Sequence, residues 1–433
     1  MMSFLSYIHP QNRRPLFLLL SSLLVLSAVV IVRLAGFASD PRHAGASVPA
    51  LAPVELASDT SITRLQETLR QNPDNSHAYA QLGLALLQKV RETGDASLYL
   101  QAEGALDEAL ARDPQQMDAL VGQGILALAL HDFEGALTWA EKARAVNPYR
   151  AEVLGIMVDA QVELGRYDEA VATAQAMVDM RPDLTSYSRV SYLRELHGDV
   201  PGAIEAMRAA ASAGAPGAEA TVWTQVQLGH LYFNSGDLEQ AEQSYRQALH
   251  FRPGYAYAAA GMARVQAATG DVEGAIAAYE DVIERLPLPE FVISLGELYE
   301  ATGQMAQAQA QYDLVRAMQQ INAGSGMAVD LEMALFNADH GADPQEALQQ
   351  ARAAYAQRPG IYGADALAWA LYKNGEFAEA ERLIGEALRL GTQDAMLYYH
   401  AGKIYEALGD EQRTKEMLAT ALSINPYFRL GLR

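Results

Sequence analysis

A small residue recurs along the chain at intervals close to 34 residues. The spacings between successive members of this set are 34, 34, 33, 38, 34, 33, 39, 33 and 34 residues. The members are Ala102, Ala136, Ala170, Ala203, Ala241, Ala275, Ala308, Ala347, Ala380 and Thr414. A unit of this length cannot bury its own apolar surface, so the copies must stack on one another to form a continuous core.

Other positions keep step with the small residue, and together they predict a pair of helices in each unit. In the unit around Ala241, Gly236 can adopt a positive φ and end a first helix, while Asp237 can cap the second. Pro253 ends the second helix because it lacks an N–H and clashes with a continuing turn. Gly229 and Ala241 are small where the two helices are predicted to cross closely. Each unit is therefore predicted to be a helical hairpin.

This pattern resembles the tetratricopeptide repeat family over about residues 74–433, or some ten units. The resemblance implies an all-α solenoid, a right-handed superhelix of about ten helix hairpins that binds protein partners on its concave face. The segment from GADALAWALYKNGEFAEA to LGTQDAMLYYHAGKIYEALGD also looks like the repeat domains of membrane-anchored bacterial envelope proteins.

Four segments depart from the regular repeat. Residues 58–73 resemble a lone second helix and are predicted to cap the array, which then occupies residues 74–433. Gly-rich connectors are predicted near 212–220 and 319–328, where the stack can bend or divide at a mobile joint. Tyr427, Phe428 and Leu430 follow the last unit, and we expect them to fold back on the last helix, with a docking tail as the alternative.

The N-terminus carries an apolar run, Leu16–Val32, preceded by Arg13 and Arg14. We expect residues 1–38 to be an uncleaved transmembrane anchor, followed by a flexible linker at 39–57. The alternative is a cleaved signal peptide that leaves a secreted or periplasmic protein. The basic pair before the run predicts a cytoplasmic N-terminus and a body outside the cytoplasm. The membrane contact is expected through this helix only.

Composition narrows the classes of partner. The formal net charge is −21, and residues 1–38 contain three arginines and no acid, so the acidic excess belongs to the rest of the chain. An acidic body repels phosphate backbones, so nucleic acid is not an expected partner, and basic proteins or peptides are favoured. The absence of Cys excludes disulfides and thiolate metal sites.

No catalytic, cofactor-binding or metal-binding residue is predicted. The sequence Asp339-His340-Gly341-Ala342-Asp343 is interpreted as a helix end rather than a metal site. In the repeat register, a set of aromatic and histidine side chains is predicted on the groove face of the first helices as the partner-binding surface. These are Tyr192, His230, Phe233, Tyr257, Phe336, Trp369, Tyr372 and Tyr399.

The leading functional hypothesis is a membrane-tethered scaffold that binds a protein or peptide segment in its groove, for assembly or recruitment at the cell envelope. One alternative is a component of an envelope glycan or lipid assembly machinery. Another is an enzyme that uses the repeats as a frame, but the repeats leave little room for a catalytic domain. The hypothesis is therefore a protein without enzymatic activity.

Overall fold

The structure is a computed structural model that describes residues 57–324 and 331–429. These residues lie within one compact unit, Glu55–Arg433, and the other unit, Met1–Val54, lies outside them. Within the described ranges no helix is long and apolar enough to cross a bilayer. The predicted anchor at 1–38 and nearly all of the predicted linker at 39–57 lie outside the described residues.

All regular structure in the described residues is α-helical, and the helices form one leading helix followed by ten hairpins. The leading helix is α1, Ala57–Gln71. The first helices of the hairpins are α2 (Ser76–Thr93), α4 (Met117–Ala129), α6 (Ala151–Glu163), α8 (Leu184–Leu196), α10 (Glu219–Asn234), α12 (Ala256–Thr269), α14 (Pro289–Ala301), α16 (Leu331–His340), α18 (Ile361–Lys373) and α20 (Ala395–Leu408). The second helices are α3 (Leu98–Arg112), α5 (Phe133–Val146), α7 (Tyr167–Met180), α9 (Val200–Ala213), α11 (Leu238–Phe251), α13 (Val272–Arg285), α15 (Met305–Gly324), α17 (Pro344–Gln357), α19 (Phe377–Ala387) and α21 (Glu411–Ile424). The ten predicted hairpins are confirmed, and a helix lies where the capping helix was predicted, although its capping role stays a prediction.

The turn inside several hairpins follows the predicted chemistry. Gly236 has φ 79° just after α10, a conformation that a Cβ disfavours. The side chain of Asp237 then accepts a hydrogen bond of 3.1 Å from the backbone N–H of Gln240 and caps α11. Equivalent caps occur at Asp132, Asp199, Asp271 and Asp410. The Gly-Asp pair therefore sets where the first helix ends and the second begins.

The close crossing of the helices is occupied by a large side chain from the second helix. Tyr245 of α11 is fully buried between α10 and α12. A Cβ added to Gly229 would lie 2.7 Å from the Cδ1 atom of this ring, and one added to Gly261 would lie 2.5 Å from its Cε1 atom. One tyrosine thus packs against two consecutive first helices, which explains why both positions lack a side chain.

The two predicted connectors differ in the structure. Residues 214–218 do separate two helices, since α9 ends at Ala213 and α10 begins at Glu219. The prediction of a connector at 319–328 is wrong in its first part, because α15 continues through Gly324. Residues 319–323 contain no Gly or Pro that would stop a helix. Residues 325–330 lie outside the described residues.

Hairpins far apart in the sequence also meet, which the repeat register did not predict. Most helix packing joins neighbours along the chain, but a seam of hydrogen bonds joins residues more than 190 positions apart. These are Arg358 Nε to Glu163 Oε2 (2.8 Å), the backbone N–H of Ile361 to the Tyr167 hydroxyl (2.8 Å), Thr392 Oγ1 to the Leu196 carbonyl, and Asn425 Nδ2 to the Phe233 carbonyl (3.0 Å). Ile361 is itself fully buried in the core of the third and fourth hairpins. The array therefore curves until its late hairpins contact its early ones.

Turn glycines allow this seam to close. Gly165 has φ 69°, and a Cβ at this position would lie 2.7 Å from the carbonyl oxygen of Pro359. A turn inside an early hairpin is thus in backbone contact with a turn between two late hairpins. The glycine that ends the first helix also allows these two turns to approach each other, so a side chain at this position is disfavoured for two reasons.

The C-terminal residues pack against α20 and against an earlier part of the array. Tyr427 packs against the core of the fourth to sixth hairpins, which includes Tyr245. The ring of Phe428 lies 5.7 Å from that of Tyr399 on α20. The expectation that this segment folds back on the last helix therefore stays a prediction, since the contacts shown join it to α20 and to an earlier part of the array that the seam brings within its reach. Leu430 lies outside the described residues.

Candidate functional site

A cavity of about 600 Å³ lies among the first helices of the last six hairpins. Side chains of α10, α12, α14, α16, α18 and α20 line it, together with Tyr279 of α13 and residues 427–429. Ala267, Ala268 and Ala301 are among the lining residues, and their side chains are too short to fill the space between the helices. The volume is in the range of ordinary ligand sites.

One wall of the cavity is formed by α10 and α12. The guanidinium of Arg264 lies 4.1 Å from the ring centroid of Phe233, which is buried. Beside them, the Tyr245 hydroxyl and His230 Nδ1 are 2.8 Å apart. Burial and the nearby charge of Arg264 lower the pKa of His230 to about 3. His230 is therefore uncharged at neutral pH, so Nδ1 is able to accept a hydrogen bond from the Tyr245 hydroxyl.

An aromatic stack on α18 and α20 lies beside the cavity and reaches its lining through His400. The rings of Tyr372 and His400 lie on either side of the Trp369 ring, at centroid distances of 4.8 and 4.1 Å and interplanar angles of 18° and 17°. Tyr399 adds a tilted ring at 6.2 Å from Trp369. Trp369 is 3% exposed and is therefore buried within the stack, while Tyr372 and Tyr399 are half-buried.

Charged side chains fix this stack in place. The Trp369 indole donates a 3.0 Å hydrogen bond to Asp339, and the Lys373 ammonium lies 2.8 Å from the same carboxylate oxygen. Burial opposes ionisation of Asp339, but the bonds from Lys373 and Trp369 outweigh it and lower the pKa of this carboxyl. On the other side, His400 Nδ1 lies 2.9 Å from the buried carboxylate of Asp365. The stack thus has one carboxylate partner at its central ring, Trp369, and another at His400.

The floor of the cavity is acidic, and its carboxylates belong to α14. Glu297 is exposed to the space of the cavity but surrounded by protein, and the loss of bulk water raises its pKa to about 7, with Asp339 adding to the rise. Glu300 accepts a 2.7 Å hydrogen bond from the Tyr312 hydroxyl. His340 stacks on Tyr312 at 4.1 Å, and burial lowers its pKa. The cavity therefore offers carboxylates, cations and ring faces at close quarters.

The structure places five of the eight predicted groove residues at or beside this cavity. Phe233 and Phe336 line it, and Trp369, Tyr372 and Tyr399 form the aromatic stack next to it. Whether any of them contacts a partner stays a prediction.

The other three predicted residues are not among those that line the cavity. His230 is bonded to Tyr245 within the wall. Tyr257 packs on Phe291, with ring centroids 5.8 Å apart. Tyr192 is 38% exposed and lines a smaller pocket beside the seam, with Tyr362.

Sequence reasoning missed Glu297, Asp339 and His400 as cavity residues. Asp339 was assigned to a helix end and His400 to a helix face, and both assignments hold, since α16 ends at His340 and His400 lies on α20. One usable signal was the spacing of Asp365 and His400, which are 35 positions apart. That is about one repeat, so the two side chains lie at neighbouring points on consecutive first helices.

Within residues 57–324 and 331–429 no group of three or more His, Asp or Glu side chains converges as a metal site would require. In that part of the chain the Asp339–Asp343 segment is a helix end, as interpreted, with Asp343 capping α17.

Comparison with known proteins agrees with the repeat architecture. Two family models described as tetratricopeptide repeat match the chain, one at residues 127–195 and 232–291, the other at 58–105, 94–151 and 366–413. Together these matches cover more than half of the sequence. No curated protein matches the chain significantly.

Solved structures that match the chain include three that it covers to different extents. The APC/C hetero-tetramer Cut9–Hcn1 is matched with 16% identity and a TM-score of 0.42, over 86% of this chain and 65% of that one. MamA is matched with 18% identity and a TM-score of 0.30, over 39% of this chain and 91% of that one. YrrB, a TPR protein with an unusual peptide-binding site, is matched with 18% identity and a TM-score of 0.28, over 45% of this chain and 95% of that one. The chain thus spans about two thirds of the Cut9–Hcn1 chain, and these likenesses concern the fold alone.

Proposed function

The chain belongs to the tetratricopeptide repeat family, and from this premise we propose that it is a scaffold that holds a segment of another protein in the cavity among its first helices. The observation that carries the proposal is the cavity itself, about 600 Å³ in volume and lined by six consecutive first helices. Repeat proteins of this kind bind proteins or peptides, and concave repeat surfaces suit an extended or helical segment.

The chemistry of the cavity lining and of the aromatic stack beside it supports a protein ligand. Half-buried aromatic faces at Tyr372 and Tyr399 can pack against apolar or cationic side chains. The net charge of −21 favours a basic partner through long-range attraction. Recruitment of such a segment requires no reaction, and the work of the protein is then to bring its partner to the place where the scaffold resides.

We also propose that the scaffold is held at a membrane, with its repeats outside the cytoplasm. The support is the apolar run Leu16–Val32 behind Arg13 and Arg14. The test is alkaline carbonate extraction of membranes that contain the full chain, together with reporter fusions at its C-terminus. Release by carbonate would overturn the anchor, and a reporter active only in the cytoplasm would overturn the orientation.

The binding proposal is tested with a double variant, Tyr372→Ala and Tyr399→Ala, in affinity capture from solubilised membranes followed by direct titration of the captured partner. We expect at least a tenfold weaker interaction, because buried aromatic anchors dominate such interfaces. Tyr149→Ala is the matched control, since Tyr149 is 82% exposed in the turn between α5 and α6, away from the cavity. Equal loss in both variants, or unchanged binding in the double variant with its fold intact, would refute the proposal.

A further inference from the structure

Residues 427–429 of the chain itself form part of the lining of the cavity. Asn425, which follows α21, is buried, and its Nδ2 donates a 3.0 Å hydrogen bond to the carbonyl of Phe233 on α10. Its Oδ1 accepts a 2.8 Å bond from the backbone N–H of Tyr427. These two bonds direct the following residues inward, and Tyr427, Phe428 and Arg429 all line the cavity.

Two of these residues contact the aromatic stack beside the cavity. The ring of Phe428 lies 5.7 Å from that of Tyr399 in a tilted arrangement. The guanidinium of Arg429 lies 5.1 Å from the centroid of the same tyrosine ring, within the range of a cation–π interaction. One half-buried tyrosine beside the cavity therefore contacts both an aromatic and a cationic side chain of the C-terminal segment.

The acidic floor faces the same segment. Glu297 makes no hydrogen bond or close ion pair with another residue in the part of the chain that the structure describes, whereas Glu300 is bonded to Tyr312 and Asp339 to Lys373. The positive charge of Arg429 lowers the pKa of Glu297, against the stronger effects of burial and of Asp339. Glu297 is therefore the carboxylate that a cation entering the cavity would meet without displacing an existing partner.

We propose that the cavity is a docking site for a protein segment that presents an aromatic ring next to an arginine, and that Tyr427–Arg429 occupy this site in cis until such a segment displaces them. The inference rests on the proposed function and adds the class of ligand and its competitor. An aromatic residue matches the stack at Tyr399, and an arginine matches both this ring and the acidic floor. An acidic segment would face Glu297 and Glu300 and is excluded by charge.

Tethering gives the internal segment an advantage over a free one. A segment held by a short link has an effective concentration on the order of millimolar. Asn425 and Pro426 are such a link, since Asn425 is fixed to Phe233. A free segment that makes equal contacts therefore binds the full chain far more weakly than it binds a chain without residues 427–433.

The test uses a labelled synthetic peptide of residues 425–433, NPYFRLGLR, titrated by fluorescence anisotropy. The two proteins are the full chain and a chain that ends at Pro426, which keeps Asn425 and its bond to Phe233. We expect the shortened chain to bind the peptide at least tenfold more tightly than the full chain. A peptide in which the arginine at position 429 is replaced by glutamate should lose at least tenfold in affinity.

A variant of the floor makes the test specific for this site. In the shortened chain, Glu297→Gln should weaken binding several-fold at pH 8, where the carboxyl is ionised in the wild type. Glu284→Gln is the matched control because Glu284 is an exposed acid on the second helix α13, and it is not among the residues that line the cavity. If the shortened chain fails to fold, the full-length variant Phe428→Ala replaces it and should bind the peptide several-fold more tightly than wild type.

The inference is overturned if the folded shortened chain does not bind the peptide, or if both chains bind it equally. Failure of this kind is distinct from failure of the proposed function. When Tyr372→Ala with Tyr399→Ala still abolishes capture of a partner, the scaffold proposal stands and only cis occupancy falls. When the aromatic variants and the shortened chain all leave binding unchanged, both proposals fall.

Discussion

Replacing Gly229 with alanine should destabilise the array, although alanine is the better helix former. Gly229 lies within α10, where the intrinsic gain of alanine over glycine is up to about 1 kcal/mol. Against this, the new Cβ would lie 2.7 Å from Cδ1 and 2.8 Å from Cζ of Tyr245, whereas ordinary carbon contacts are about 3.5–4.0 Å. The ring or the helix must therefore move by about 1 Å.

Tyr245 has no room to make that movement. It is fully buried, its hydroxyl is 2.8 Å from His230 Nδ1, and Gly261 lies against the same ring. Overpacking of this kind costs about 1–3 kcal/mol, and a ring confined by two helices belongs at the upper end. After the helix-propensity gain, we expect Gly229→Ala to lower the free energy of unfolding by about 2 kcal/mol.

Two exposed glycines supply matched controls of opposite sign. Gly385 on α19 and Gly104 on α3 have no atom within 4 Å of an added Cβ. Gly385→Ala and Gly104→Ala should each stabilise by about 0.5–1 kcal/mol, through backbone entropy alone. Urea unfolding followed by far-ultraviolet circular dichroism measures all three variants.

A second substitution isolates the contact from other effects. Tyr245→Leu removes the ring, so Gly229→Ala should cost little in that background, with a coupling free energy of about 1–3 kcal/mol. If Gly229→Ala proves as stable as Gly385→Ala, or if the two substitutions are additive, the close-crossing explanation of the repeat is refuted.

Three further predictions concern charges and caps. Burial, with Asp394, raises the pKa of Glu195 to about 7, so ionisation of this carboxyl opposes folding as pH rises. Glu195→Gln should therefore stabilise the protein by about 1 kcal/mol at pH 8 and by nothing below about pH 4. Urea unfolding midpoints at both pH values measure this difference. Arg358→Ala should cost about 2 kcal/mol by leaving Glu163 without its 2.8 Å hydrogen bond, with faster hydrogen exchange along the seam, and unchanged exchange there would contradict the seam. Asp237→Ala should cost about 1 kcal/mol in thermal or urea unfolding by removing the cap of α11, whereas no loss would contradict that cap.

Hairpin architecture was readable from the sequence because its causes are local. A glycine that ends a helix, an aspartate that caps the next and a proline that stops it act within a few residues, so their spacing alone fixes helix boundaries. Gly236, Asp237 and Pro253 illustrate this, since α10 ends at Asn234, α11 begins at Leu238 and α11 ends at Phe251. The connector predicted at 319–328 is wrong in its first residues, because these residues carry no local signal that would stop a helix.

The aromatic part of the site was partly readable for a similar reason. The repeat register identifies which positions of each first helix share a face, and that placed Phe233, Phe336 and the Trp369 stack together. It did not separate a ring that faces the cavity from one that packs within the wall, because both lie on the same side of a helix. His230, which is bonded to Tyr245, packs within the wall, and Tyr257 packs on Phe291 instead of facing the cavity.

The sequence by itself determined the unit, its caps and its stacking on neighbours, since these depend on residues at most one repeat apart. Only the tertiary structure decided that Arg358 meets Glu163 and that Asn425 meets Phe233, each more than 190 positions away. The physical reason is accumulation: each hairpin is rotated slightly on the one before it, and contacts across the array depend on the sum of many such rotations. No single position encodes that sum, so the cavity and its C-terminal occupant emerge only when the whole array is assembled.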